Sequence, residues 1–102
     1  MSMELDADGH LRDPSCWSQE VARQLAEQDG LILETDHLWV IEFVRSYHLR
    51  YGNPPLMRTL VAGWRDRTGD AAGSRDLYRL FPDGPVRLAC KYGGLPKPDW
   101  CI

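Results

Sequence analysis

Two cysteines near the end of this 102-residue sequence are the residues best suited to covalent chemistry. Cys90 and Cys101 stand eleven positions apart, and one residue follows Cys101. A thiolate attacks sulfur and carbonyl electrophiles, whereas a protonated thiol hardly does. An exposed cysteine with a pKa of about 8.5 is a few per cent ionised at neutral pH. Cys101 is therefore a candidate nucleophile that accepts a sulfur atom as a persulfide and passes it on by thiol exchange.

The second thiol, Cys90, has two interpretations. If the end of the chain curls back, Cys90 and Cys101 can form a disulfide, which requires Cα atoms within about 7 Å of each other. Cys90 would then attack a persulfide on Cys101 and release the carried sulfur in reduced form. A cysteine beside Val86 and Ala89 on a predicted helix also fits a small buried residue in the core. The sequence leaves both interpretations open.

Two basic residues flank Cys90 on the same predicted helix. Arg87 and Lys91 are candidates for lowering a thiol pKa or for docking an acidic partner, and they equally fit ordinary exposed helix charges. No CxxC pair occurs, and the three histidines show no ligand spacing to a cysteine. We therefore expect neither a metal ion nor another cofactor.

The segment that has to position Cys101 is "GLPKPDWCI", residues 94–102. Gly93 and Gly94 form a permissive hinge, and Pro96 and Pro98 fix their own φ and extend the residues before them. Eight residue steps of ~3.3 Å give this segment a reach of roughly 26 Å. The sequence predicts a domain over residues 1–93 and a mobile C-terminal arm over residues 94–102.

The body of the chain reads as one mostly helical domain, as its length and 43% apolar content suggest. The turn signal Asp8-Gly9 predicts a β-hairpin with strands near residues 3–6 and 10–12. Asp13 or Ser15 is the predicted cap of a first helix that ends near Gln28. Thr35 or Asp36 is the predicted cap of a second helix, and Gly52 with Pro54 is its predicted end. This helix is so apolar that we expect it at the centre of a bundle.

Three more helices follow in the sequence pattern. The third covers "PPLMRTLVAGWRDRTG" and places Leu56, Leu60 and Trp64 on one face. A short fourth helix stops before Pro82. The fifth begins at Pro85, is capped by Asp83 or Gly84, ends at Gly93 and carries Cys90 on its last turn.

Charge and composition limit the classes of function. The net charge is −3, which disfavours a general nucleic-acid binder. Two alternatives remain: a DNA-binding helix-turn-helix near residues 52–69, and a regulatory module whose C-terminal tail is inert. No apolar run approaches the roughly 20 residues of a membrane span. The acidic start is unlike a signal peptide, and three cysteines are an odd number for a disulfide framework. We expect a cytoplasmic protein without membrane contact or sequence-specific nucleic-acid binding.

The segment "LYRLFPDGPVRLACKYGGLPKPDWCI" resembles the C-terminal signature of the DsrC/TusE family of sulfur-relay proteins. The resemblance rests on "LFP" with "GP" at residues 80–85, on "GLPKP" and on the cysteine at position 101. Upstream, "HLWVIEFVRSYH" and "PPLMRTLV" are similar to the central helices of the family. The resemblance implies a small orthogonal helical bundle with an N-terminal β-hairpin and a mobile arm, and a sulfurtransferase that carries sulfur on Cys101.

The resemblance also implies partners. TusE-type members pass persulfide sulfur from a TusBCD-like donor complex to a thiouridylase that modifies the wobble uridine of tRNA. DsrC-type members keep a second cysteine eleven positions upstream, where Cys90 stands here, and serve sulfite reductase in dissimilatory sulfur metabolism. We expect relay to tRNA thiolation, with a Cys90–Cys101 redox pair serving sulfite reductase as the alternative.

Overall fold

The computed structural model describes residues 17–69 and 73–95, which form five helices and contain no strand. The helices are α1 Gln19–Gln28, α2 Thr35–Tyr51, α3 Met57–Thr68, α4 Gly73–Leu80 and α5 Pro85–Tyr92. The predicted mostly helical class is confirmed. The predicted β-hairpin lies in residues 1–16, outside the described part of the chain. None of the five helices is both long and apolar enough to cross a bilayer.

The short helix α5 lies at the centre of the described core. Six of its eight residues are buried, and it contacts each of the other four helices. It begins at Pro85, where the missing N–H removes no helical hydrogen bond. The expectation that α2 is the centre is wrong: only four of its 17 residues are buried, and Leu49 and Tyr51 near its end are 72% and 56% exposed.

Two predicted helix starts are shifted. Ser18 is extended and its Oγ accepts the N–H of Val21 at 3.3 Å, so α1 begins at Gln19 and the predicted caps Asp13 and Ser15 are wrong. Helix α2 is capped by Glu34 rather than by Thr35 or Asp36. The ends of these helices lie close to the predicted positions. Gly52 closes α2 with φ of +78°, a conformation that glycine adopts without strain.

The buried His37 connects the start of α2 to the segment that precedes α5. Its Nδ1 accepts the backbone N–H of Glu34 at 3.0 Å, so the ring proton lies on Nε2. Nε2 donates to the carbonyl oxygen of Leu80, also at 3.0 Å. The ring meets Phe81 edge-on with centroids 5.1 Å apart. His37 therefore fixes where the chain leaves α4 and approaches α5.

A second cluster of aromatic side chains joins α2 to α3. The rings of Trp39 and Trp64 lie 5.5 Å apart, and the guanidinium of Arg67 is 5.4 Å from the centre of each ring. Arg67 also donates to Asp36 at 3.0 Å. Trp64 and Leu60 are buried on α3 as predicted, whereas Leu56, which caps this helix, is 46% exposed.

Replacing His37 with phenylalanine should lower the free energy of unfolding by about 1–3 kcal/mol, because the N–H of Glu34 and the carbonyl of Leu80 would both lose a partner. Urea denaturation followed by circular dichroism measures the loss. The control is His48→Phe, on a half-buried position of the same helix, which should change stability by less than about 0.5 kcal/mol. Equal losses in the two variants would contradict this role for His37.

Candidate functional site

The chain leaves α5 through a tightly bonded turn. The N–H of Gly93 donates to Ala89 O at 2.8 Å, and the N–H of Leu95 donates to Cys90 O at 3.0 Å. Gly94 has φ of +69° and Leu95 is only 1% exposed. This is a Schellman ending, in which a left-handed glycine is followed by an apolar residue that packs on the helix. The first two residues of the predicted arm thus lie in the core.

Two side chains from distant positions bind the last carbonyl groups of α5. Trp17 Nε1 donates to Tyr92 O at 2.7 Å, and Arg45 Nη1 donates to Gly93 O. The guanidinium of Arg45 stacks 4.2 Å from the centre of the Trp17 ring. The final carbonyls of a helix have no partner within the helix, and these two donors satisfy them. We call the pair Trp17 and Arg45 the root clamp.

Burial shifts the pKa of Arg45, the charged member of the root clamp, without removing its charge. It lowers the pKa of the Arg45 guanidinium, and the nearby Glu42 carboxylate opposes that shift. An arginine starts from so high a pKa that the group remains a cation at neutral pH. A positive charge at the C-terminal end of a helix is favoured by the helix dipole. Arg45 therefore binds the end of α5 by charge as well as by a hydrogen bond.

Close packing explains the first glycine of the predicted hinge. A Cβ on Gly93 would lie 2.5 Å from Ala89 O, 3.2 Å from Arg45 Cγ and 3.3 Å from Ile41 Cγ2. The first distance is far shorter than any van der Waals contact. A side chain at Gly93 would therefore collide with the backbone of α5 itself, and Arg45 and Ile41 on α2 would have to shift by a few tenths of an ångström.

Cys90 lies on the last turn of α5, as predicted, with its side chain in the core. It has no solvent exposure. The neighbouring Arg87 and Lys91 are only half-buried, so burial separates the thiol from the cations next to it in sequence. This matches the interpretation of Cys90 as a small buried residue. A reaction at Cys90 requires the groups that cover it to move.

The predicted basic residues have partners that the sequence did not reveal. Lys91 Nζ lies 2.8 Å from Asp29 Oδ2, and Tyr92 OH donates to the same oxygen at 2.8 Å. Arg87 Nη2 donates to the carbonyl oxygen of Asp83 at 2.9 Å. No sequence pattern signals the link to Asp29, because 62 residues separate Asp29 from Lys91.

These contacts shift two pKa values in opposite directions. The hydrogen bond from Lys91 lowers the pKa of Asp29, burial raises it by less, and Tyr92 lowers it further. Burial raises the pKa of Tyr92, and the Asp29 carboxylate adds to that rise. At neutral pH the pair is an ionised carboxylate and a protonated phenol, which is the state that the hydrogen bond requires.

A cleft of about 470 Å³ lies between the end of α1 and the outer face of α5. It is lined by Asp29, Gly30, Leu31, Pro82, Asp83, Arg87, Leu88, Lys91 and Tyr92. Lys91 is paired with Asp29, whereas Arg87 donates to a backbone carbonyl and its charge helps to lower the pKa of Asp29. Within residues 17–69 and 73–95, no three His, Cys, Asp or Glu side chains converge on a position for a metal ion. Cys16 and the candidate nucleophile Cys101 lie outside the described residues.

Comparison with known proteins gives consistent results along the whole chain. Residues 1–102 match a family described as "DsrC like protein". A "Sulfurtransferase TusE" from Escherichia coli (strain K12) is 43% identical over 101 residues, which cover 98% of this chain and 93% of that protein. The protein of the same name from Yersinia pseudotuberculosis is also 43% identical, over 98% of this chain and 94% of the relative.

Solved structures show the same similarity in three dimensions. The oxidized gamma-subunit of the dissimilatory sulfite reductase (DsrC) from Archaeoglobus fulgidus superposes with a TM-score of 0.89 at 35% identity, covering 98% of this chain and 92% of that one. The NMR structure of Allochromatium vinosum DsrC gives 0.85 at 38% identity, covering 98% and 90%.

Replacing Asp29 with asparagine should destabilise the protein by about 1 kcal/mol at neutral pH. The figure is low for a charged hydrogen bond because the carboxylate is more than a third exposed. Since the folded-state pKa of Asp29 is below 3.8, its contribution is present above that pH and is lost as the pH falls through the folded-state pKa. The difference between the variant and the parent in urea denaturation should therefore shrink in acid.

Asp83→Asn is the matched control for this pH dependence. Asp83 lines the same cleft, but its contact with Arg87 is made by the backbone carbonyl, which the substitution keeps. The free energy of unfolding of the Asp83→Asn variant at neutral pH should differ from that of the parent by less than about 0.5 kcal/mol. A pH-independent deficit in Asp29→Asn would show that the link to Lys91 and Tyr92 is not electrostatic.

Proposed function

The chain belongs to the DsrC-like protein family, and we propose that it is a sulfurtransferase that carries persulfide sulfur on Cys101. The observation that carries the proposal is the 43% identity, over nearly the full length, to proteins named sulfurtransferase TusE. A sulfur-relay role agrees with the thiol chemistry open to Cys101. The turn at the end of α5 also supports the sulfur-relay role: its last described residue, Leu95, is hydrogen-bonded to Cys90 O, and Cys101 follows Leu95 by only six residues.

The transfer conserves atoms and electrons. The Cys101 thiolate attacks the terminal sulfur of a donor persulfide, R–S–SH. A new S–S bond to Cys101 forms while the S–S bond of the donor breaks, and the donor leaves as the thiolate R–S⁻. Cys101 then bears the persulfide, with no net oxidation or reduction. An acceptor thiolate takes the terminal sulfur by the same exchange and regenerates the Cys101 thiolate.

The proposal extends to partners and location. We place a TusBCD-like donor complex before this chain and a tRNA thiouridylase after it, so that the sulfur ends in the 2-thiouridine of the tRNA wobble position. The TusE name of its relatives supports this assignment. A cytoplasmic location is part of the same proposal, because a carrier thiol has to stay reduced between rounds and the cytosol keeps thiols reduced.

The arm is proposed to be the moving part of the carrier. Gly94 and Leu95 pack in the core, so in this proposal the segment that moves is residues 96–102. A regulatory module with an inert tail, the alternative from another class, predicts no effect of removing that segment. A helix-turn-helix reader near residues 52–69 is less favoured, because Leu60 and Trp64 bury one face of α3.

A second candidate function is supported by Cys90. Its position eleven residues before Cys101 fits a DsrC-like redox pair that serves sulfite reductase, and a structural neighbour is described as the gamma-subunit of that enzyme. The complete burial of Cys90 favours the simple relay on Cys101, since a disulfide would require the end of α5 to open.

Incubation with glutathione persulfide should add one sulfur atom to the protein, and peptide mass spectrometry should locate it on Cys101. Cys101→Ser should abolish the addition, because a hydroxyl does not undergo thiol exchange. Cys16→Ser is the control and should load like the parent. Normal loading of Cys101→Ser at Cys16 or Cys90 would refute the proposed carrier site.

Cys90→Ala separates the two candidate functions. For a simple relay, delivery of radiolabelled persulfide sulfur from Cys101 to an acceptor thiol should remain within about twofold of the parent. For a redox pair, release of reduced sulfur should fall to background, since the thiol proposed to attack the persulfide on Cys101 is gone. Comparing both products in one assay decides between the relay and the redox pair.

A further inference from the structure

We propose that Trp17 and Arg45 are positioning residues for sulfur transfer, because they fix the point from which the arm carrying Cys101 leaves the domain. This inference rests on the proposed function of Cys101. Besides stabilising the fold, the root clamp would determine where the segment that carries Cys101 begins and how many residues it contains.

The contacts of the root clamp concentrate on the exit of the chain. Trp17 precedes α1 and Arg45 lies on α2, yet both donate to consecutive carbonyls, those of Tyr92 and Gly93. The next residues continue the anchoring, since the N–H of Leu95 is bonded to Cys90 O and its side chain is buried. Two elements distant in sequence thus hold the same short stretch of backbone.

The partner of Arg45 distinguishes it from Arg67, which also lies over tryptophan rings. Arg67 lies over Trp39 and Trp64 and pairs with the carboxylate of Asp36. Arg45 lies over Trp17 in a similar way, but it donates to a backbone carbonyl at the arm root. Partial burial of a cation opposes folding. The Arg45 cation binds the main chain at Gly93, whereas the Arg67 cation pairs with the carboxylate of Asp36.

Fixing the root changes how far Cys101 can travel. From Leu95, six residue steps of ~3.3 Å give a reach of roughly 20 Å. If the root opened back to Tyr92, nine steps would give roughly 30 Å. Effective concentration falls roughly as the −3/2 power of tether length, so a change from six steps to nine would lower the effective concentration of the thiol at a docked partner about twofold. The root clamp keeps the carrier thiol concentrated near its own domain.

The test uses the full chain with Cys16→Ser and Cys90→Ala, which leaves Cys101 for one nitroxide label, and with Ser46→Cys on the exposed side of α2 for the other. Pulsed dipolar spectroscopy measures the distance distribution between the labels. Trp17→Phe and Arg45→Met should broaden it toward longer distances, as the reach increases about 1.5-fold. Arg45→Lys, which keeps a cation and a donor, should restore a distribution close to that of the parent.

Amide exchange provides a second readout at the root itself. Hydrogen–deuterium exchange at the Leu95 N–H should become about fivefold faster or more in Trp17→Phe and Arg45→Met, because each loses a bond to the adjacent backbone. Arg67→Met and Trp64→Phe are the matched controls, since Arg67 loses a stacked guanidinium and its pair with Asp36, and Trp64 loses an indole hydrogen bond to Asp76 on α4. They should leave both the label distances and the Leu95 exchange as in the parent.

The outcomes separate this inference from the proposed function. Unchanged label distances and unchanged Leu95 exchange in Trp17→Phe and Arg45→Met would overturn the positioning role. Equal broadening in Arg67→Met would overturn it as well, since the effect would then be general loosening of the fold. Loading of the parent chain by glutathione persulfide is measured in parallel, and its failure at Cys101 would refute the carrier function whatever the label distances show.

Discussion

The carbonyl groups at the C-terminal end of α5 are the constraint on which the rest of the structure depends. A helix that ends inside a core leaves carbonyl oxygens that water does not reach, and each needs a donor. Here the donors are the backbone of Gly93 and Leu95, the indole of Trp17 and the guanidinium of Arg45. Satisfying them brings the segment before α1 and the middle of α2 to one place, so the arrangement of the domain and the origin of the arm have a common cause.

Helix α5 also separates two kinds of chemistry by burial. Its inner face holds the thiol of Cys90 among apolar side chains, while Arg87 and Lys91 line the cleft on the other side. The pairing of Lys91 and Tyr92 with Asp29 ties that outer face to the end of α1. A thiol and a cation adjacent in sequence are therefore in different environments, which is one reason why we propose Cys101 rather than Cys90 as the sulfur carrier.

Local patterns in the sequence predicted what depends on neighbouring residues. The ends of α2 and α5 at Gly52 and Gly93, the proline at the start of α5 and the place of Cys90 follow from short-range stereochemistry. The predicted start of α1 is wrong because several polar residues before it can act as caps, and the sequence alone does not show that Ser18 is the one whose Oγ accepts the N–H of Val21.

Long-range contacts could not be predicted in this way. The bond from Trp17 to Tyr92 spans 75 positions and that from Arg45 to Gly93 spans 48, so no periodicity reports them. The contact between Arg45 and Gly93 also determines how the end of α5 responds to ionic strength. Arg45 joins a cation to a carbonyl dipole and an aromatic face in a partly buried place, where dissolved ions screen little. Concentrated electrolyte should therefore weaken surface ion pairs such as Arg23–Glu20 and leave the anchoring of Gly93 intact.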